Sequence, residues 1–240
     1  MKTQIKDIQI RLKRIAKLFK PLPSGGVGVG FLLVGVCFLL LSCEIDSYDK
    51  GEGRYSLLTA EMADVRTDAS GYASTAVTDD GTQLTIEPRT SVRWMQKADT
   101  VYRALLYYNN VGDGKAKVVS ISRVGVLYPS DSISTGMKTH PLHLESVWMS
   151  KNRKYLNLRL RLLVGSTDDD KAHQTIGLLA DSISPGHRRL TLYHDQGDIP
   201  EYYSSTTYAS IPLHAVGADT LTLVVNTYDN GVVSRTFAIR

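Results

Sequence analysis

The chain has 240 residues, 42% of them hydrophobic, with 28 Lys and Arg against 24 Asp and Glu for a formal net charge of +4. The basic excess sits in residues 1–42, which hold seven Lys or Arg and one acid; the remaining 198 residues carry 21 basic and 23 acidic side chains, a formal net of −2. That stretch is long enough for one large or two small cores, and its charge lacks the concentrated positive field that a nucleic-acid partner requires.

The chain opens as an export signal. Lys2, Lys6, Arg11, Lys13, Arg14, Lys17 and Lys20 form a basic n-region opposed only by Asp7, and Val27 to Leu41 supply an apolar run of 15 residues. Such a run suits a signal peptide and falls short of the roughly 20 residues of a permanent membrane helix. Pro21, Pro23, Gly25 and Gly26 keep the basic and apolar stretches from fusing into one helix. Leu40-Leu41-Ser42-Cys43 then has the shape of a lipobox. Residues 1–42 are therefore expected to be removed, and Cys43 to carry lipid that anchors the chain to a membrane. Of the two cysteines, Cys37 leaves with the signal and Cys43 is consumed by lipid. The exported part folds without disulfides or a cysteine-based metal site.

Residues 43–53 are acidic, contain glycine and hold almost nothing apolar, which reads as a tether. Strands follow. Tyr55 to Val65 alternates loosely, Tyr72 to Val77 comes next, and Asp79-Asp80-Gly81 turns the chain into Gln83 to Ile86, which Pro88 is expected to end. Val101 to Tyr108 and Ala116 to Tyr128 flank a turn at Gly112-Asp113-Gly114. Five short strands over residues 54–135 suit a small barrel or sandwich.

The polar, turn-prone stretch between Pro129 and Pro141 marks a domain boundary, with a second domain over 136–240. Its strongest signal is Leu156, Leu158, Leu160 and Leu162 alternating with Asn157, Arg159 and Arg161. One strand face is thus apolar and the other is polar and solvated. Further strands are expected at His173 to Ala180, Arg189 to Tyr193, Thr206 to Pro212, Leu221 to Tyr228 and Val232 to Ile239. Asp229-Asn230-Gly231 joins the last two and predicts a type I′ hairpin. Strands joined by loops at this spacing indicate an antiparallel sandwich.

Chemistry-bearing residues form no recognisable constellation. His140 and His143 stand at i, i+3 with no further ligands nearby, and Asp168-Asp169-Asp170 lacks the Gly and distal Glu of an EF-hand loop. His194-Asp195 near Asp198 sits beside an ordinary turn. No Gly-x-Ser-x-Gly elbow or phosphate loop occurs, and Gly26, Gly28 and Gly30 lie in the signal. No catalytic residue, cofactor or metal is therefore expected. Arg159 and Arg161 either meet an acidic group or solvate the outer strand face. Tyr107, Tyr108, Tyr193, Tyr202, Tyr203 and Tyr208 serve either packing or a groove for a sugar or peptide.

Ser146 to Met149 followed by Tyr155-Leu156-Asn157-Leu158, then His173 to Leu179, then Leu192-Tyr193-His194-Asp195-Gln196-Gly197-Asp198, resemble the C-terminal half of NigD-like lipoproteins. Tyr55 to Ala60, Asp79 to Leu84 and Arg103 to Tyr108 fit the N-terminal half of that family. The resemblance implies an all-β chain: an OB-like small barrel followed by a C-terminal β-sandwich, on an outer-membrane lipoprotein facing the periplasm or the cell surface. It implies no catalytic residues. It leaves two functional expectations: a non-enzymatic lipoprotein that binds a protein or glycan partner, or a bacteriocin-associated immunity or export accessory.

Overall fold

The computed structural model describes residues 58–132, 138–167 and 172–239. Cys43, its lipobox, the tether and Asp168-Asp169-Asp170 lie outside these residues. The barrel comprises β1 (Leu58–Thr67), β2 (Ala73–Thr78), β3 (Gln83–Thr90), β4 (Val101–Asn110) and β5 (Lys115–Arg123). These close in the order β1-β2-β3-β5-β4, with β1 and β4 antiparallel from Leu58↔Asn109 to Arg66↔Val101 and a short parallel β3–β5 pairing completing the ring. Closure leaves no free sheet edge. Val65, Ala76, Leu84, Ile86, Ala104, Leu106 and Ala116 fill the interior, as strand alternation requires. Pro88 does not end β3. It lies in the irregular stretch between the Thr75↔Thr85 and Ala73↔Thr90 pairs, where the ladder needs no amide from it.

β6 (Gly125–Val126) and β7 (Pro129–Ser130) already belong to the sandwich sheets, so the chain enters its second domain upstream of residue 136. These strands are two residues long, too short to show a period in the sequence. The remaining strands are β8 (His143–Met149), β9 (Tyr155–Val164), β10 (Thr175–Ser184), β11 (His187–Asp195), β12 (Tyr203–Pro212), β13 (Thr220–Thr227) and β14 (Gly231–Ala238). They form a sheet in the order β14-β13-β11-β10-β7 facing one in the order β6-β12-β9-β8. Most pairs are antiparallel; β11–β13, β10–β7 and β12–β6 are parallel. Leu156, Leu158, Leu160, Leu178, Leu190, Ile211, Leu221 and Leu223 are fully buried between the sheets. Each contributes about 1.5–3 kcal/mol of hydrophobic stabilisation before entropy is charged. The last hairpin is not type I′: Thr227 pairs with Gly231, Gly231 alone of its turn has a positive φ (+61°), and the Thr227 hydroxyl donates to the Gly231 carbonyl. An extra loop residue replaces the two-residue turn by a three-residue connection.

The two domains belong to one compact unit over Arg54–Arg240. On β4, Arg103 and Leu105 are buried along with Ala104 and Leu106, although alternate residues point out of the barrel. The outward face of β4 is therefore covered, and what covers it is the outward face of the β6-β12-β9-β8 sheet.

Candidate binding site

The junction is built from a polar core with an apolar cleft beside it. Arg103, 2% exposed at its side chain, reaches out of the barrel and donates from Nη2 to Asp79 Oδ2 at 2.8 Å and to Asn157 Oδ1 at 3.1 Å. Its Nε donates to Ser210 Oγ at 3.1 Å and its Nη1 to Asp64 Oδ1 at 3.3 Å. Asn157 returns a hydrogen bond from Nδ2 to Asp79 Oδ2 at 2.7 Å, and the Ser210 hydroxyl donates to Asn157 Oδ1 at 2.7 Å. The guanidinium lies 4.0 Å from the Tyr155 ring centroid. Burial together with the neighbouring Asp64 carboxylate pushes the Tyr155 phenol up to about 12. Barrel and sandwich thus share one ionic network, in which Asp79 Oδ1 lies 2.7 Å from Arg103 Nη2 as an ion pair without a hydrogen bond of its own. The tip of the β8–β9 hairpin adds main-chain contact, with the Asn152 amide donating to the Asp79 carbonyl at 2.8 Å.

Asn157 corrects the expected pattern of β9. It stands on the polar face, yet it is fully buried because the barrel covers that end of the strand. Farther along the same face, Arg159 and Arg161 meet an acid of their own chain: Glu145 lies 2.7 Å from Arg159 Nε and 3.4 Å from Arg161 Nε.

Beside the network, Met62, Leu105 and Val124 form a small apolar cluster with Tyr107, Trp148 and Tyr208 packed against it. Met62↔Leu105 and Ala60↔Tyr107 are cross-strand pairs on the outer barrel wall, while Trp148 on β8 and Tyr208 on β12 project from the sandwich. Between them opens a cleft of about 440 Å³. Glu61, Asp79 and Asp80 line its barrel side, and Ser146, Lys151 and Arg159 its sandwich side. The Thr78 hydroxyl and the Thr82 amide hold Asp80 down at about 2, so it is ionised at any physiological pH. Glu61 accepts the Tyr108 hydroxyl through Oε2 at 2.8 Å, and burial raises that phenol strongly.

The tyrosines proposed from sequence do not share one surface. Tyr107 and Tyr208 line the cleft and Tyr108 is buried in the barrel. Tyr193 covers Gly177 on the neighbouring strand, while Tyr202 and Tyr203 are exposed. The histidines also separate: the His143 Nδ1 lies 2.9 Å from Asp229 Oδ2, and the His140 Nδ1 accepts the Gln196 amide at 2.9 Å. His194 faces the interior and donates from Nδ1 to the His140 carbonyl at 3.2 Å, whereas Asp195 alternates to the other face and pairs with Lys138. His194 and Asp195 therefore do not act as a proton-transfer pair. Among the described residues, no three His, Cys, Asp or Glu side chains are grouped to hold a metal ion. Sequence reading missed Arg103, Asp79 and Ser210, because nothing in a strand pattern tells an outward residue under a second domain from one in water.

Residues 126–239 match the profile of the NigD-like C-terminal beta sandwich domain. That part of the chain is a NigD-like C-terminal beta sandwich domain. Its fold is similar to that of a NigD-like immunity protein from Bacteroides caccae, with TM-score 0.61 and 22% identity over 75% of this chain and 96% of that one. A candidate toxin-related protein from Parabacteroides distasonis shares the fold at TM-score 0.56 and 20% identity, covering 75% and 92%. So does a candidate lipoprotein from Bacteroides fragilis, at TM-score 0.51 and 13% identity, covering 75% and 96%. No curated protein matches the sequence. For this chain those likenesses establish the β-barrel and sandwich, and the cleft lies where the two meet.

Proposed function

We propose that this chain is a cell-envelope lipoprotein, anchored in the outer membrane through lipid on Cys43, which binds a protein or glycan partner and catalyses no reaction. The observation that carries the binding role is the cleft at the barrel–sandwich junction. Its size lies in the range of about 300–1,000 Å³ usual for ligand sites, and it combines aromatic faces with a few convergent polar groups. The buried Arg103 network supports the role by fixing the two walls relative to each other, which lowers the ordering cost of binding. The anchor is supported by the lipobox at Leu40 to Cys43 and by the likeness to a candidate lipoprotein.

Purified mature protein, kept in detergent with its lipid, should bind members of a glycan or peptide array. Lys151→Glu on the exposed cleft rim should alter that binding. Silence of the wild-type protein on both arrays would overturn the proposal. The likeness to a NigD-like immunity protein favours a second reading, in which the partner is a bacteriocin. Deleting the gene should then raise the sensitivity of the cells to that toxin, and unchanged sensitivity would reject it.

A further inference from the structure

We infer that the barrel–sandwich cleft is a saccharide site, taking an uncharged oligosaccharide whose ring stacks on aromatic faces and whose hydroxyls bridge two oppositely charged walls. The inference rests on the reading of the cleft as the binding site and names its ligand class. Asp80 comes from the barrel and accepts hydrogen bonds, with Oδ1 taking Thr78 and Thr82; Glu61, between Ala60 and Met62 of the outer wall, turns its carboxylate toward the buried Tyr108 and adds negative charge behind that wall. Lys151 and Arg159 come from the sandwich and bring donors to the cleft, Arg159 with its Nε held by Glu145.

A cationic side chain entering the cleft meets the acids and is repelled by Lys151 and Arg159. An anionic one meets the opposite conflict. A hydroxyl is both donor and acceptor and carries no charge, so a polyol satisfies both walls at once. Tyr107 and Trp148, both partly exposed, supply flat apolar faces between the walls, which suit the C–H face of a sugar ring. Because Asp80 is already held ionised by its own loop, the acceptor wall is in place before a ligand arrives.

The test titrates full-length mature protein in detergent with gluco-, manno-, galacto- and xylo-oligosaccharides. A sulfated disaccharide and a tripeptide library serve as charged and peptide arms, and Trp fluorescence and calorimetry are the readouts. At least one neutral oligosaccharide should bind and perturb Trp148 emission. Tyr107→Ala and Lys151→Ala should each weaken it by roughly tenfold or more. Lys151 lies on an exposed turn, so its variant reads binding without unfolding the protein. Peptides binding while every neutral sugar fails would overturn the saccharide assignment and leave the partner-binding role standing. Silence of sugars, sulfated disaccharide and peptides together would bring down both. Sugar binding unaffected by either variant would overturn the cleft as its location.

Discussion

Arg103 of the barrel donates to the Asn157 amide oxygen of the sandwich at 3.1 Å, and both residues are buried at the join between the domains. The contact makes the polar network a structural hinge pin. It belongs to neither domain core, yet it fixes the cleft between them.

Removing the guanidinium leaves Asp79 and Asn157 desolvated without their partner. Arg103→Met is expected to destabilise the protein by about 3–5 kcal/mol, the usual cost of breaking one side of a buried ion pair. Arg103→Lys keeps the charge but cannot serve Asp79, Asn157 and Ser210 through one planar fork, so it should also lose stability, by less. Urea denaturation measures both; a loss under about 1 kcal/mol for Arg103→Met would place the pair among weak surface bridges instead.

Gly177 and Tyr193 face each other across β10 and β11, and a Cβ added to Gly177 would fall 2.3 Å from the Tyr193 ring. Gly177→Ala should therefore cost about 1–3 kcal/mol by overpacking. Most of that cost should vanish in a Tyr193→Ala background, which a double-mutant cycle in denaturant reads directly. Additive losses would show that the ring does not rest on the glycine.

His194 gives the fold a pH dependence whose sign follows from burial. Its Nδ1 proton goes to the His140 carbonyl, while Nε2 is buried without a hydrogen-bond partner among the described residues, so protonation would bury an unpaired charge. Burial accordingly lowers its pKa from 6.5. The unfolded chain then binds the proton more readily than the folded one, and stability falls as pH drops through about 6.5 toward the lower folded value. Thermal unfolding between pH 8 and 5 should show this loss, and His194→Phe should flatten it. An equally steep profile in the variant would assign the dependence elsewhere. Asp195 adds a separate loss at lower pH: the Gly197 amide and Lys138 hold its carboxyl below 3.8.

How far the sequence reveals the fold follows from which neighbours set each residue's environment. Leu156, Leu158 and Leu160 declare their strand because one sheet face meets one core, and period two records that. Asn157 and Arg103 do not declare theirs. Their surroundings come from the other domain, 54 positions apart in the chain for the pair, and a polar residue between Leu residues reads as solvated. Trp148 was visible only as part of a resemblance, and β8 around it carries a register shift between Leu144 and Ser146 that blurs alternation. The cleft is illegible for the same reason: Ala60, Tyr107, Trp148 and Tyr208 stand on four strands from two domains and converge only after docking.

The proposed envelope role depends on lipid at Cys43, and metabolic labelling with an alkyne fatty acid tests it directly. Wild-type protein should take up the label, lose residues 1–42 and partition into the detergent phase, whereas Cys43→Ala should remain unlabelled and unprocessed. Wild-type protein without label, or a Cys43→Ala variant labelled and cleaved like wild type, would contradict it.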